Sequence, residues 1–192
     1  MNQRQMIEEI SKLVEDACKR DTNKFGYGIW SHHIVYVMKY AKQMAEILGA
    51  DDEIVEIAAL LHDYAGIKDS SLTEEHHIHG AIEAERILEE YEYSPEKIEK
   101  VKHCIISHRG SVVSERKNPE AECIASADAM AHIVQVVSLL YLAYAKHCMT
   151  IDEGKAWVLS KLERSWNKLC PEARGIIHDD YLYAKKILGD LE

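Results

Sequence analysis

An all-α fold is what this sequence predicts, and three observations carry the prediction. Apolar residues recur at helical spacing along nearly all of the 192 residues, and no segment shows the alternation of a half-buried strand. Only three prolines occur, and each falls where a helix can begin. Helices are expected near 3–20, 31–48, 52–64, 75–91, 95–108, 119–147, 151–169 and 172–188.

Each element has its own signal. The first, within MNQRQMIEEISKLVEDACKR, alternates charge with apolar residues and has no apolar core of the kind a secretory signal needs. The second carries the stripe His33, Val37, Ala41, Met44 and Leu48, and stops at Gly49, a residue suited to follow a helix. The third ends the apolar run 58–61 in His62-Asp63, two costly groups to bury. The fourth aligns His76 with Gly80, Ala84 and Ile87. Ser94-Pro95 reads as cap and first turn of the fifth, with Ile98, Val101, Ile105 and His108 on one face. Pro119 opens the sixth and most apolar helix, in which Asp128 shares a face with Ile124 and Ala131. Thr150-Ile-Asp-Glu153 has capping-box spacing for the seventh, and Pro171 and Gly189 bracket the eighth. The long connections are 65–74 and 109–118, and no repeat or linker divides 1–192, so one all-helical domain is expected.

Composition narrows the function. With 47% apolar residues the chain can bury a substantial core, and its net charge of −10 argues against a nucleic acid polymer as partner. A small phosphorylated partner needs only a local positive site. The longest apolar stretch, 129–145, includes His132, Gln135 and Ser138, which favours a buried helix over a membrane span. Five scattered cysteines without CxxC spacing read as reduced thiols, so a cytoplasmic location is expected. A homo-oligomer is compatible with the sequence.

Eight of the eleven histidines lie between residues 32 and 108. Helical phase turns His33, His62, His76 and His108 inward, with Asp63 and Asp128 beside them. It turns His32, His79 and His103 towards polar faces and leaves His77 intermediate, so that His77 or His79 could replace His76. Singly, each inward group reads as well as a hydrogen-bonded core residue or a cap. Together, imidazoles and carboxylates without cysteine suit a divalent transition metal, with Mn, Fe, Co or Ni favoured over Mg or a closed Zn site.

The order of these residues resembles the HD superfamily of metal-dependent phosphohydrolases: His33 on one helix, adjacent His62-Asp63, then Asp128. HHIVYVMKYA, AALLHDYA and SADA resemble the family's three motif contexts, and His76 before Gly80-Ala81 with His108 resembles the subset that holds two metals. The HDYA context is also similar to the branch that hydrolyses diadenosine tetraphosphate. The resemblance implies an HD-like helical bundle over about 30–132 with a C-terminal helical extension, 133–192. It implies one or two divalent ions, His33, His62, Asp63 and Asp128 holding the first and His76 and His108 the second. Asp63 would bridge them and serve in catalysis. The implied activity is hydrolysis of a phosphate ester or anhydride of a nucleotide or similar small molecule by metal-activated hydroxide. Arg109 and Lys68 are the expected phosphate-binding residues. Three departures bear on the substrate: HD-x-G-K is absent, HRGSVVSERKNPE does not match the diadenosine branch, and the C-terminal region lies outside the shared core. The rival readings are a non-catalytic metal or nucleotide sensor, an HD-type di-iron oxygenase and a purely structural helical protein.

Overall fold

Capping chemistry begins the chain's first helix, in a computed structural model that describes residues 2–110 and 115–189. The Asn2 side chain accepts the Gln5 N–H at 2.8 Å and starts α1 (Gln3–Cys18). A π-helical turn, Trp30–Ile34, leads without a break into α2 (Val35–Leu48), which Gly49 ends in the left-handed region at φ 67°. Asp51 caps α3 (Asp52–Leu61), and α4 (Tyr64–Lys68) follows. A 3₁₀ segment, Ser70–Glu75, passes into α5 (His76–Glu90), and Pro95 occupies the first turn of α6 (Pro95–Ser107). Asn118 caps α7 (Pro119–Val134) through the Ala121 N–H at 2.9 Å. Then come α8 (Val136–Tyr141), a second π-helical turn (Leu142–Lys146), α9 (Ile151–Lys168) with the expected Thr150–Glu153 capping box, and α10 (Pro171–Ile187). No strand occurs among the described residues, and the all-α class stands.

Two expected helices are broken in the structure. The segment 52–64 is not one helix: α3 stops at Leu61, and Asp63, at φ −105° and ψ 0°, separates it from α4. The segment 119–147 breaks at Gln135, and its two parts meet at 73°. The cause is local. The Ser138 N–H and hydroxyl both donate to the Gln135 carbonyl at 2.8 Å, which takes that carbonyl out of the regular α ladder. A smaller kink lies at Ile177 in α10. Part of the 109–118 connection falls outside the described residues.

The core is organised around α7. Residues 123–131 are buried, and the helix packs against α2, α6, α9 and α10. A helix apolar on every side is stable only at such a central position. Each large side chain fully buried here, such as Leu60, Leu61, Ile124 or Met130, contributes about 1.5–3 kcal/mol, which lets the same core carry buried Asp128. Gly80 brings α5 close: a Cβ there would meet Ile105 Cγ2 at 3.1 Å and the His62 carbonyl at 3.4 Å. No single described helix is long and apolar enough to cross a membrane.

Candidate metal centre

Three histidines stand at helix ends and are held in the same way. The Nδ1–H of His62 donates to the Ala59 carbonyl at 2.8 Å, that of His76 to the Thr73 carbonyl at 2.7 Å, and that of His108 to the Ile105 carbonyl at 2.6 Å. Each bond satisfies a carbonyl near the end of a helix or 3₁₀ segment. Each also fixes the tautomer, because a carbonyl only accepts: Nδ1 carries the proton and Nε2 presents a lone pair.

Those lone pairs converge with the carboxylates. Asp63 Oδ2 lies 3.2 Å from His33 Nε2 and 3.3 Å from His62 Nε2, while Oδ1 lies 3.3 Å from His76 Nε2 and 3.8 Å from His108 Nε2. Asp128 Oδ1 approaches His33 Nε2 at 3.4 Å. One carboxylate thus divides between two pairs of imidazoles. The break between α3 and α4 makes this possible, since it lets adjacent His62 and Asp63 reach the same space. His77 and His79 do not join the group. His77 is buried with its Nδ1 unpartnered, and His79 faces Glu75 at 3.8 Å.

The electrostatics are those of a closely coupled cluster. Burial opposes charge on Asp63 and Asp128, yet neighbouring imidazoles, with Lys168 for Asp128, hold both well below the usual carboxylate range. Burial also opposes charge on His62, but adjacent Asp63 outweighs it and raises the imidazole above its ordinary value. For His108 burial prevails, helped by His62, and its pKa falls to about 3. His76 Nε2 and His108 Nε2 face each other at 3.2 Å. With both Nδ1 protons committed to carbonyls, two neutral rings would meet lone pair to lone pair, and a cation relieves that contact. The imidazole and carboxylate donors therefore fit a divalent metal, and the triads His33–His62–Asp63 and Asp63–His76–His108 could each hold an ion.

Among known families, the HD domain model matches residues 30–133. The chain belongs to the HD-domain family. Comparison with curated proteins finds no match. Among solved structures, this HD-domain chain is similar to Bacillus subtilis YpgQ, at 20% identity and a TM-score of 0.73, over 100% of this chain and 98% of that one. YpgQ in complex with ADP aligns with a TM-score of 0.67, also at 20% identity, over 96% and 97% of the two chains. A predicted HD superfamily hydrolase from an uncultured Thermotogales bacterium aligns at 23% identity with a TM-score of 0.63, over 98% and 96%. These likenesses concern the fold.

Around the cluster the HD-domain chain forms a cavity of about 1020 Å³. His33, Asp63, His76, His108 and Asp128 line it, whereas His62 is fully buried behind them. Arg109 also lines it, with its guanidinium on the carbonyl and carboxylate of Glu74. Lys68 is not among the lining residues; its ammonium sits on Glu83 at 2.8 Å.

His132, Lys161 and Lys168 escaped the reading of the sequence, whereas Tyr141 and Trp157 read there as core aromatics. His132 faces Asp128 at 3.3 Å and stacks on His33 at 4.8 Å between ring centroids. The signal was present: His132 lies four residues after Asp128, on the same helical face. From α9, Lys168 bonds Asp128 Oδ2 and, at 3.0 Å, the His108 carbonyl, while Lys161 and Trp157 line the cavity. Tyr141 lines it too, whereas Trp166 stacks on Tyr181 at 4.3 Å.

Proposed function

We propose that this chain is a metal-dependent phosphohydrolase that cleaves a phosphate ester or anhydride of a nucleotide or a related small molecule. The observation that carries the reading is the division of the Asp63 carboxylate between His33 and His62 on one oxygen and His76 and His108 on the other. In this reading His33, His62, Asp63 and Asp128 would hold one divalent ion, and Asp63, His76 and His108 a second. Bound there, divalent ions supply Lewis-acid stabilisation of phosphoryl charge and activation of water.

The chain's own groups fill the other roles. His62, His76 and His108 are held by backbone carbonyls, so little reorganisation is needed to present their Nε2 atoms. Asp63, with its pKa well below the carboxylate range, is a poor proton acceptor near neutrality and acts by orientation. Lys168 takes one oxygen of Asp128 and leaves the other towards His33. Arg109, at the cavity wall, would meet an outer phosphate oxygen after leaving Glu74. Lys68 would need to leave Glu83 to take part. A cavity of about 1020 Å³ exceeds what a lone phosphate fills, and its aromatic wall suits a base. The ADP complex of the similar YpgQ favours a nucleotide.

The test is metal content by mass spectrometry, with a phosphate-release screen over nucleotides. The expected result is one or two transition-metal ions per chain, together with turnover. A His62→Ala/Asp63→Ala variant should lose both, with activity at least about 10²-fold lower. A chain that takes up no Mn, Fe, Co or Ni, or that holds metal without releasing phosphate from any nucleotide, would overturn the reading.

A further inference from the structure

In this acidic chain several half-buried cations are matched by a carboxylate. Lys68 has Glu83 at 2.8 Å, Lys102 has Glu85 at 2.9 Å, and Arg116 has Glu122 at 2.5 Å. The wall that α9 turns to the cavity is different. Lys161, Arg164 and Lys168 stand three and seven residues apart, share one face, and all line the cavity. Lys168 is engaged by Asp128 and the His108 carbonyl. Among the described residues, by contrast, Lys161 has neither a hydrogen bond nor an ion pair, and Arg164, exposed at the mouth, bonds a single partner, the Ser160 hydroxyl at 2.5 Å. Lys24, on another wall, has no carboxylate partner among those residues and lies over the Phe25 ring at 5.2 Å.

An ammonium set deep among protein atoms without a counter-charge is costly. Asp63 and Asp128 are near enough to act on Lys161, but imidazoles and Lys168 already neutralise them. Divalent ions on those carboxylates would make the α9 wall still less balanced. An anion in the cavity, extending from the cluster onto α9, would restore the balance.

We propose that Lys161 and Arg164 bind the part of the ligand's phosphate chain that lies beyond the reacting phosphorus. The helix α9, outside the family match at 30–133, is then part of the active site. This rests on the phosphohydrolase reading for the position of the reacting phosphorus. The residues themselves can be tested without turnover.

Inorganic pyrophosphate is the probe, titrated by calorimetry into the full chain with and without added Mn. Lys161→Met keeps the aliphatic stem, Arg164→Gln lies at the exposed mouth, and Lys12→Met on α1 serves as a remote control. Wild type and Lys12→Met should bind alike, while each α9 variant should bind roughly tenfold more weakly, as loss of one charge-assisted contact predicts. Thermal midpoints measured alongside identify a variant that has simply unfolded, and the other then decides. In turnover assays the α9 variants should raise KM more than they lower kcat. Equal affinity in wild type and both α9 variants, or no pyrophosphate binding by wild type in either condition, would overturn the proposal. Weakened binding in a chain that hydrolyses nothing would uphold the α9 site and sink the hydrolase reading. Turnover with unchanged affinity and KM would do the reverse.

Discussion

From α2 to α7 the chain delivers imidazoles and carboxylates to the cavity, His62, Asp63, His76 and His108 from helix ends and a break, whereas α9 delivers ammonium and guanidinium groups along one face. In the first region the groups hold one another in place: three Nδ1–H groups donate to carbonyls, four Nε2 atoms face the Asp63 carboxylate, and Lys168 bonds Asp128. In the second, Lys161 has no partner among the described residues and Arg164 has a hydroxyl. A network closed on itself fixes geometry, as chemistry at a metal requires. A row of unmatched cations instead leaves binding energy for a ligand. The two regions therefore divide the proposed work, one holding ions and the other holding an anion.

Lys168 is where that division can be broken, because it belongs to α9 but bonds Asp128. Lys168→Met should weaken metal binding by roughly 10–100-fold, the usual effect of removing an outer partner of a metal ligand. Lys161→Met, seven residues away on the same face, should not weaken it. Competition with a fluorescent chelator measures both. Equal losses in the two variants would mean that α9 acts on the cluster as a whole and that no division exists.

The cluster was legible because it is written in local phase. His33, His62, His76, His108 and Asp128 each continue an apolar stripe, and Asp63 stands next to one of them, so their inward orientation followed from helical spacing, while their grouping came from the order that resembles the HD superfamily. The α9 wall was not legible, because Lys161, Arg164 and Lys168 read like the solvated face of any amphipathic helix. Their meaning depends on where α9 docks, and the bond from Lys168 to Asp128 spans 40 residues. The bend at Gln135 was hidden for another reason. The Ser138 N–H and hydroxyl both take the Gln135 carbonyl there, and neither proline nor glycine marks the position.

Acid should act on the first region before the second. His108, held to about 3 by burial in the folded chain, has an ordinary value near 6.5 when unfolded. As pH falls below about 6.5 the unfolded state binds the proton first, so stability declines until about pH 3. His132, lowered by burial, acts with the same sign. His62, raised, acts oppositely: its contribution is present below its ordinary value and lost as pH rises through the raised one. Asp63 and Asp128 contribute above the ordinary carboxylate value and lose that contribution only in stronger acid. The metal-stripped chain should therefore lose thermal stability between pH 6.5 and 4. One fully linked group changes stability by at most about 1.4 kcal/mol per pH unit, or roughly 3–5 °C in Tm. His108→Asn should flatten the slope in a pH series of melting curves, and an unchanged slope would exclude His108 as its source.

Two glycines give the most selective contrast. At Gly80 a Cβ would press on Ile105 and the His62 carbonyl, and at Gly154 it would collide with the Tyr144 ring. The first contact lies behind the His/Asp cluster. The second joins α9 to the π-helical turn Leu142–Lys146, where Leu142 lines the cavity. Overpacking at either position should cost about 1–3 kcal/mol, read as a lower Tm. The consequences for binding should separate. Gly80→Ala shifts α5, which carries His76, and should lower metal affinity. Gly154→Ala moves the wall made by Tyr141, Leu142 and Trp157, and should weaken pyrophosphate or nucleotide binding at unchanged metal content. If Gly154→Ala also releases metal, the α9 wall is coupled to the cluster through packing as well as through Lys168, and the two regions are one cooperative unit.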